Sequence, residues 1–384
     1  MKPRHENTPQ TSFRRIAVIG LISSLVVSAC QGGVASFLAS GAPLNWDNAA
    51  ETSLDFSFTS DGQVLATTMV RGQPARTLFD SGATISVLQP AFAETAAEGL
   101  PTAAVRFRSG RVPAVRFLPV ELGTVSQELL NVAVAEMPGE ADAIMGLEVF
   151  AQAVVEFDFD QLVMRIVRPD AFTPEPGATP YRAGWSDLHP TLDIELADGV
   201  AACFVVDTGF NGSLTVSNEV AEAADFRADP SVTVQWRRPD GVTNVSQGLM
   251  NLPTLELGGA TLENVPVTSL PPGVGGRCRN LLGMKILTGY KVAFDMPNDR
   301  IWFSPRPGLS PVFEQVQGVA YRRSNAGLTV IGVALDSPWR DLVLPGDVVV
   351  GINGATDFPQ LPPAPGEERN LVLANGVRRA AVAE

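Results

Sequence analysis

The stretch LFDSGATISVL, residues 78–88, is matched by VVDTGFNGSLTV at residues 205–216. In each stretch, apolar residues lead to an Asp that is followed by a hydroxyl residue and a glycine. Each also has a Gly eight residues before the Asp and a Ser six residues after it, namely Gly72, Gly199, Ser86 and Ser213. The upstream glycine lies between two alternating apolar and polar runs, a pattern that predicts a β-hairpin turn.

Further landmarks follow these stretches in the same order in both halves of the chain. Three short segments recur: ELG at 121–123 and 256–258, LNV at 130–132 and ENV at 263–265, IMG at 144–146 and LLG at 281–283. Twelve residues beyond the last Gly of each series comes a Phe-Asp pair, at 157–158 and 294–295. So many landmarks in one order are hard to obtain by chance. The sequence therefore predicts a duplicated β-unit.

Composition agrees with an all-β fold. The 384 residues include 35 Gly and 30 Pro, and long stretches alternate apolar with polar residues, as expected for short strands and many turns. We predict two β-lobes at about 45–168 and 186–305. The segment 169–185 is rich in Pro and Gly and is predicted to be the linker between them.

Charge and histidine content exclude several classes of function. The formal net charge of -13 opposes binding of nucleic-acid phosphates. After Cys30 the only histidine is His189. The chain therefore has almost none of the histidines needed for a Ser-His-Asp triad, a Cys-His dyad or a two-histidine metal site. We therefore predict no metal and no organic cofactor. His189 itself is interpreted as the first residue of a strand, without a chemical role.

The paired motif resembles the aspartic peptidases. An Asp-(Ser/Thr)-Gly after apolar residues, followed much later by apolar-apolar-Gly, is similar to that family, and more to its retropepsin-like branch than to pepsin. The resemblance covers both lobes. It implies two β-lobes whose catalytic carboxylates are Asp80 and Asp207, one acting as general base on a water and the other as general acid. The substrate would be a protein or peptide, and no obligate homodimer is expected because one chain supplies both carboxylates.

The resemblance also assigns supporting roles in the two loops. The hydroxyls of Ser81 and Thr208 would hydrogen-bond across the lobes. Gly82 and Gly209 would let the backbone pass close to the partner lobe. Thr84 completes the first loop, whereas the second departs from the family pattern after Gly209. The alternative interpretation is a duplicated β-lipoprotein that binds peptides without cleaving them.

The N-terminus has the layout of an export signal. Arg14 and Arg15 precede an apolar run, residues 16–27, that is too short for an ordinary transmembrane helix. Residues 27–30, VSAC, resemble a bacterial lipobox, which implies a signal peptide at 1–29 and lipid attachment at Cys30. Gln31 then favours the outer membrane, with the protein facing the periplasm. An ordinary cleaved signal peptide with an incidental Cys is the alternative.

The remaining cysteines are Cys203 and Cys278. No CxxC or Cys/His cluster exists, which argues against structural zinc. An oxidising periplasm would permit a disulfide between the two, and a pair of buried free thiols is the alternative.

Each lobe has one basic segment between its Asp motif and its later glycine, at 106–111 in the first lobe and at 235–241 in the second. Both are candidate tips of substrate-covering hairpins. Their arginines would either contact acidic substrates or simply be solvated.

Residues 318–384 form a candidate third domain. The segment LPGDVVVGING at 344–354 resembles the PDZ domains of bacterial periplasmic proteases, and Asn375-Gly376 predicts a closing hairpin. Prolines within 358–363 forbid the normal helix of such a domain. The module would either bind peptides by strand addition along residues 328–333 or serve as a structural cap.

Lipid attachment can be tested by metabolic labelling with a palmitate analogue. We expect label on the wild-type protein and none on Cys30→Ser, because only the thiol of Cys30 can carry the anchor. Absence of label on the wild type would contradict the lipobox assignment.

Overall fold

The computed structural model describes most of the chain from Gly41 onward. The described residues are 41–59, 62–107, 110–137, 140–186, 188–196, 199–224, 232–238, 241–247, 249–270, 278, 280–306, 319–324, 327–333, 343–344, 346–352 and 368–382. Within them the structure is mostly β, with 29 strands and four α-helices. The all-β prediction is confirmed.

In the part of the first lobe that the structure describes there are twelve strands and two short helices. The strands are β1 (Glu51–Phe58), β2 (Val64–Val70), β3 (Gln73–Phe79), β4 (Val87–Leu88), β5 (Thr102–Phe107), β6 (Gly110–Val115), β7 (Leu118–Leu122), β8 (Val125–Leu129), β9 (Val132–Val134), β10 (Ala143–Met145), β11 (Val154–Asp158) and β12 (Val163–Val167). The helices are α1 (Pro90–Ala96) and α2 (Leu147–Phe150). Alternation is clear in β1, where every second side chain is buried, as expected for a strand with one face on the core.

The second lobe also contains twelve strands and two short helices in the described residues. The strands are β13 (Thr179–Arg182), β14 (Gly184–Ser186), β15 (His189–Glu195), β16 (Ala201–Val206), β17 (Leu214–Ser217), β18 (Val232–Arg238), β19 (Gly241–Gln247), β20 (Leu249–Leu257), β21 (Ala260–Leu270), β22 (Asn280–Leu282), β23 (Tyr290–Asp295) and β24 (Arg300–Pro305). The helices are α3 (Asn218–Ala223) and α4 (Met284–Leu287), and a 3-10 turn (Met296–Asn298) joins β23 to β24.

The same strand topology is present in both lobes. The strand before each Asp runs parallel to the strand before the later glycine: β3 pairs with β10 and β16 pairs with β22. That later strand also pairs antiparallel with β4 in lobe one and with β17 in lobe two. Each of those strands has a further parallel neighbour, β9 or β21. The duplicated unit inferred from sequence landmarks is therefore a duplicated fold.

The two lobes share one sheet. β11 pairs antiparallel with β23, so that Val155 faces Phe294 and Phe157 faces Val292. These strands contain the Phe-Asp pairs of the repeat. Phe150 on α2 lies edge-on to Phe294 at 5.3 Å between ring centroids, and a single buried cluster runs through both lobes. The interface between the lobes is therefore part of the hydrophobic core.

The predicted linker, 169–185, is shorter than expected. β13 lies inside it and pairs with β24 of lobe two, and β14 begins there and pairs with β15. The Gly and Pro content of this segment hid its strands from the sequence prediction. Tyr181 packs edge-on to Phe303, and its hydroxyl accepts a hydrogen bond from the N–H of Gly258 (3.0 Å). Side-chain packing thus outweighs the turn-like composition of this segment.

Cys203 and Cys278 form a disulfide, with their Cα atoms 5.3 Å apart. Cys203 lies on β16, four residues before Asp207, and Cys278 lies two residues before β22. The bond therefore joins the two segments whose parallel pairing supports the second Asp loop.

The C-terminal module is a five-stranded antiparallel sheet in the described residues. Its strands are β25 (Val319–Ser324), β26 (Gly327–Val333), β27 (Val348–Ile352), β28 (Glu368–Leu373) and β29 (Arg378–Val382), paired in that order. β28 and β29 close around Gly376, whose φ of 81° suits glycine. β26 is flanked by β25 and β27, so Leu328 and Thr329 have partners on both sides. That part of the segment is not the free edge that strand addition requires.

Some predictions fall outside the described residues. These are the signal peptide at 1–29, the lipid attachment at Cys30, both hairpin tips (108–109 and 239–240) and the proline segment at 358–363. Within the described ranges, no helix has the length and apolar character needed to cross a membrane.

We expect loss of the disulfide to lower the free energy of unfolding. It closes a loop of 75 residues, and bonds of this kind typically contribute about 2–5 kcal/mol by restricting the unfolded chain. Urea titration of Cys203→Ala/Cys278→Ala against the parent, both carrying Cys30→Ser, measures the difference. Two reactive thiols in the denatured, unreduced parent would contradict the bond.

Candidate active site

Each catalytic-candidate Asp directly follows a buried strand. Asp80 comes after β3 and Asp207 after β16. The N–H of Asp80 donates to the carbonyl oxygen of Met145 (3.0 Å), and the N–H of Asp207 donates to that of Leu282 (2.9 Å). Met145 and Leu282 end the parallel strands that precede the later glycines. Both loops are therefore supported from behind in the same way.

The two Asp loops are joined by a reciprocal set of buried hydrogen bonds. The hydroxyl of Ser81 donates to the carbonyl of Val206 (2.7 Å), and the hydroxyl of Thr208 donates to that of Phe79 (2.7 Å). The N–H of Thr208 donates to Ser81 Oγ (3.0 Å), and the N–H of Ser81 donates to Thr208 Oγ1 (2.9 Å). Each hydroxyl thus donates and accepts across the lobe boundary. This arrangement, expected from the family resemblance, fixes the distance between the two loops.

The glycines after these hydroxyl residues lie against the opposite carboxyl groups. A Cβ on Gly82 would lie 2.5 Å from the carboxyl carbon of Asp207, and a Cβ on Gly209 would collide with the carboxyl of Asp80. Such distances are too short for any side chain. Glycine is therefore required at both positions, and each carboxyl group lies over the backbone of the other lobe.

The two carboxyl groups lie at the junction of the loops, each against the glycine of the opposite loop, and both have raised pKa values. Burial raises the pKa of Asp80, partly offset by hydrogen bonds from the N–H of Gly82 and from Asp207 and by the charge of His189. The pKa of Asp207 is raised well above its usual range by burial and then by the negative charge of Asp80. Neighbouring carboxyl groups that cannot both ionise share one proton. Both residues keep part of their surface accessible, so water can reach the pair.

The second loop keeps its geometry despite departing from the family pattern. Phe210 donates its N–H to Asp207 Oδ1 (3.1 Å), and its carbonyl accepts from the N–H of Met284 (2.8 Å). The later glycine, Gly283, lies where a Cβ would be 2.5 Å from that carbonyl oxygen. In the first loop, Thr84 makes no side-chain hydrogen bond to another described residue, so the structure assigns it no specific role.

Glu148 is a buried carboxyl group behind the first loop that the sequence did not single out. The N–H and the hydroxyl of Ser86 donate to its two oxygens at 2.8 and 3.0 Å. Burial raises the pKa of Glu148 to about 7. Ser86 also accepts from the N–H of Gly146 (3.1 Å), so it ties the glutamate to the later glycine. The sequence offered two clues to this site. A Ser lies six residues after each Asp, and the residue two positions after the later glycine is Glu148 in lobe one but Lys285 in lobe two.

Gln63 contacts the second Asp loop, and the charge of His189 influences Asp80; neither effect was predicted. Gln63 Nε2 donates to the carbonyl of Gly209 in the other lobe (2.5 Å). His189 begins β15, as expected, but its charge acts on Asp80.

The basic segments at 106–111 and 235–241 were predicted to lie in hairpins, and each lobe has a strand pair there. β5 pairs with β6, and β18 pairs with β19. Among the described residues, no group of three or more His, Cys, Asp or Glu side chains is arranged to hold a metal ion.

Glu148 predicts a specific pH dependence of stability. Its pKa in the folded protein, about 7, lies above the ordinary value of 4.5, so the folded state prefers the protonated form. Stability is therefore greatest below the ordinary pKa and falls as the pH rises towards 7. The total loss is about 3 kcal/mol. Glu148→Gln should remove this fall and gain stability relative to wild type above pH 7.

Chemical denaturation between pH 4.5 and 8 measures that difference. Glu121→Gln, at an exposed glutamate on β7, is the matched control and should keep the wild-type pH dependence. Identical slopes for Glu148→Gln and wild type would show that Glu148 does not titrate in this range.

Comparison with known protein families gives matches that cover both Asp loops. The family model described as aspartyl protease matches residues 66–149 and again residues 192–286. Each match contains one Asp loop and the later glycine that supports it. No curated protein matches the chain. The two matches support assignment of the chain to an aspartic peptidase family.

Proposed function

We propose that this protein is an aspartic endopeptidase that hydrolyses peptide bonds through a water activated by Asp80 and Asp207. The family match supports peptidase activity in general. The observation that carries the residue assignment is the junction of the two loops, where each carboxyl group lies against the glycine of the opposite loop. Ser81 and Thr208 fix that junction, so the pair is preorganised before substrate binds.

The chemistry follows from one shared proton. The ionised carboxylate takes a proton from water, and the water oxygen attacks the peptide carbonyl carbon. The protonated carboxyl group gives its proton to the carbonyl oxygen, which yields a gem-diol. The proton taken from water then passes to the leaving nitrogen, the C–N bond breaks, and one diol hydroxyl returns a proton to the second carboxylate. The pair is restored to its starting state, and no cofactor is consumed.

Burial supports this use of the pair. A buried, hydrogen-bonded carboxyl pair retains a single proton over a wider pH range than two separated, solvated groups. The raised pKa of Asp207 therefore favours an acid that is still protonated when the partner is ionised. This is the protonation state that the reaction requires.

The proposed location is the bacterial envelope. The sequence features that support it are the export signal at 1–29 and the lipobox-like Cys30, with Gln31 favouring the outer membrane. A disulfide between Cys203 and Cys278 suits an oxidising compartment such as the periplasm. Substrates would then be periplasmic or surface-exposed proteins and peptides.

The proposal predicts loss of cleavage in either single Asp variant. Asn preserves the shape of Asp but cannot exchange the proton, so Asp80→Asn and Asp207→Asn should each lower kcat by at least about a thousandfold. The measurement is digestion of an unbiased peptide pool by full-length protein, read by mass spectrometry between about pH 4 and 8.

The control is Asp193→Asn, an exposed aspartate on β15 of the second lobe, which should retain wild-type cleavage. Equal silence from wild type and both variants, with all proteins folded, would instead favour a peptide-binding protein without catalysis. Cleavage that survives in both variants would assign the activity to a contaminant or another site.

A further inference from the structure

The pairing registers of the two lobes place Gln63 and His189 at equivalent positions. Two ladder pairs define the comparison: Leu65 faces Leu78, and Thr191 faces Val205. Leu78 and Val205 each lie two residues before an Asp. Gln63 and His189 each lie two residues before the facing partner. A simple sequence offset misses this equivalence, because the β15–β16 connection is one residue longer than the β2–β3 turn.

Both side chains relate to the Asp loop of the opposite lobe. Gln63, from lobe one, donates to the carbonyl of Gly209 in lobe two. His189, from lobe two, is partly buried, and its charge acts on Asp80 in lobe one. The pseudo-twofold relation between the lobes therefore explains why a residue at the start of β15 can influence a carboxyl group that lies outside its own lobe.

The two positions differ in charge, although the Asp loops themselves are closely alike. Oδ1 of each Asp accepts the N–H of the glycine two residues later at 2.8 Å. Each Asp is raised in pKa by burial first of all. Gln63, which contacts the loop of Asp207, is a neutral amide. His189, whose charge lowers the pKa of Asp80, is an imidazole. A positive charge near one member of a carboxyl pair favours ionisation of that member.

We propose that His189 makes the carboxyl pair asymmetric, so that Asp80 is the ionised general base and Asp207 holds the shared proton as general acid. This inference rests on the proposed peptidase function and assigns the two roles within it. His189 does not act on the substrate itself; its charge acts on the protonation of Asp80. In the reaction above, Asp80 takes the proton from water and delivers it to the leaving nitrogen, while Asp207 protonates the carbonyl oxygen.

Other ionisable groups near the pair must be separated from His189 in any test. Asp207 faces Asp80 directly, and Glu148 lies behind the first loop through Ser86. The carboxyl pair loses its first proton under acidic conditions. The positive charge of His189 lowers the pKa of Asp80, so its removal is read on the acid limb of the activity profile, where the pair loses its first proton.

The first test is the pH profile of kcat/KM for wild type and His189→Gln, which installs the residue of the equivalent position. We expect the acid limb to move to higher pH, with kcat/KM on that limb lower by about threefold or more, and the alkaline limb to move less. Arg182→Gln, which removes an exposed charge on β13, is the control and should leave both limbs in place. An acid limb that His189→Gln does not move would overturn the inference while leaving the peptidase function intact.

The second test needs no substrate and separates the two proposals. Carbon-13 NMR of protein labelled at the Asp carboxyl carbons follows the pair, whose signals are identified by their loss in Asp80→Asn and Asp207→Asn. We expect Asp80 to ionise at lower pH than Asp207 in the wild type, and His189→Gln to raise the pH at which Asp80 ionises. The exchange variant Gln63→His/His189→Gln should move the earlier ionisation to Asp207. An order of ionisation that neither variant changes would exclude a role for His189, whether or not the protein cleaves peptides.

Discussion

The structure depends on holding two like-charged groups together away from bulk water. Two neighbouring carboxylates repel each other, and burial penalises each of them, so the pair is stable only when it retains a proton and the backbone around it cannot relax. The hydroxyls of Ser81 and Thr208 supply that restraint by bonding to backbone groups of the opposite loop. Gly82 and Gly209 leave room for the carboxyl groups. The shared β11–β23 sheet then makes the two lobes one folding unit, so opening the junction would also expose core side chains such as Phe294.

The duplicated lobes solve the same support problem with different chemistry. In lobe two the Cys203–Cys278 disulfide connects the strand of Asp207 to the segment before β22. At the equivalent place in lobe one, four residues before Asp80, Arg76 forms ion pairs with Glu140 and Asp142. These pairs are exposed and contribute little compared with a covalent bond. Lobe one instead has the buried contact between Ser86 and Glu148, where lobe two has Ser213 donating to the carbonyl of Pro266. The two lobes share one backbone arrangement but stabilise it with different side-chain interactions.

This divergence bears on chemistry as well as stability. A perfectly symmetric pair would have no preferred base and acid, and the proton would be shared equally. The glycine N–H bonds to Asp80 and Asp207 are alike, and the further N–H bond from Phe210 favours ionisation of Asp207, so the backbone does not select Asp80 as the ionised member. The side chains at the equivalent positions of the two lobes can do so, because Gln63 is neutral whereas the charge of His189 lowers the pKa of Asp80. The asymmetry is then carried by the periphery of the site, and the carboxyl groups and their hydroxyl partners stay unchanged.

The sequence by itself determined the duplication, the all-β class and the pairing of Asp80 with Asp207. Those features follow from local patterns: alternation within strands, and an Asp, a hydroxyl residue and a glycine repeated at fixed places. The linker at 169–185 was overestimated, because Pro and Gly content predicts a turn while the packing of Tyr181 decides for a strand. Tertiary structure alone decided the burial of Glu148, the contact of Gln63 with Gly209 and the equivalent register position of His189. These relations join residues far apart in the chain through the pseudo-twofold relation of the lobes, and no local pattern encodes which side chains such a relation brings together.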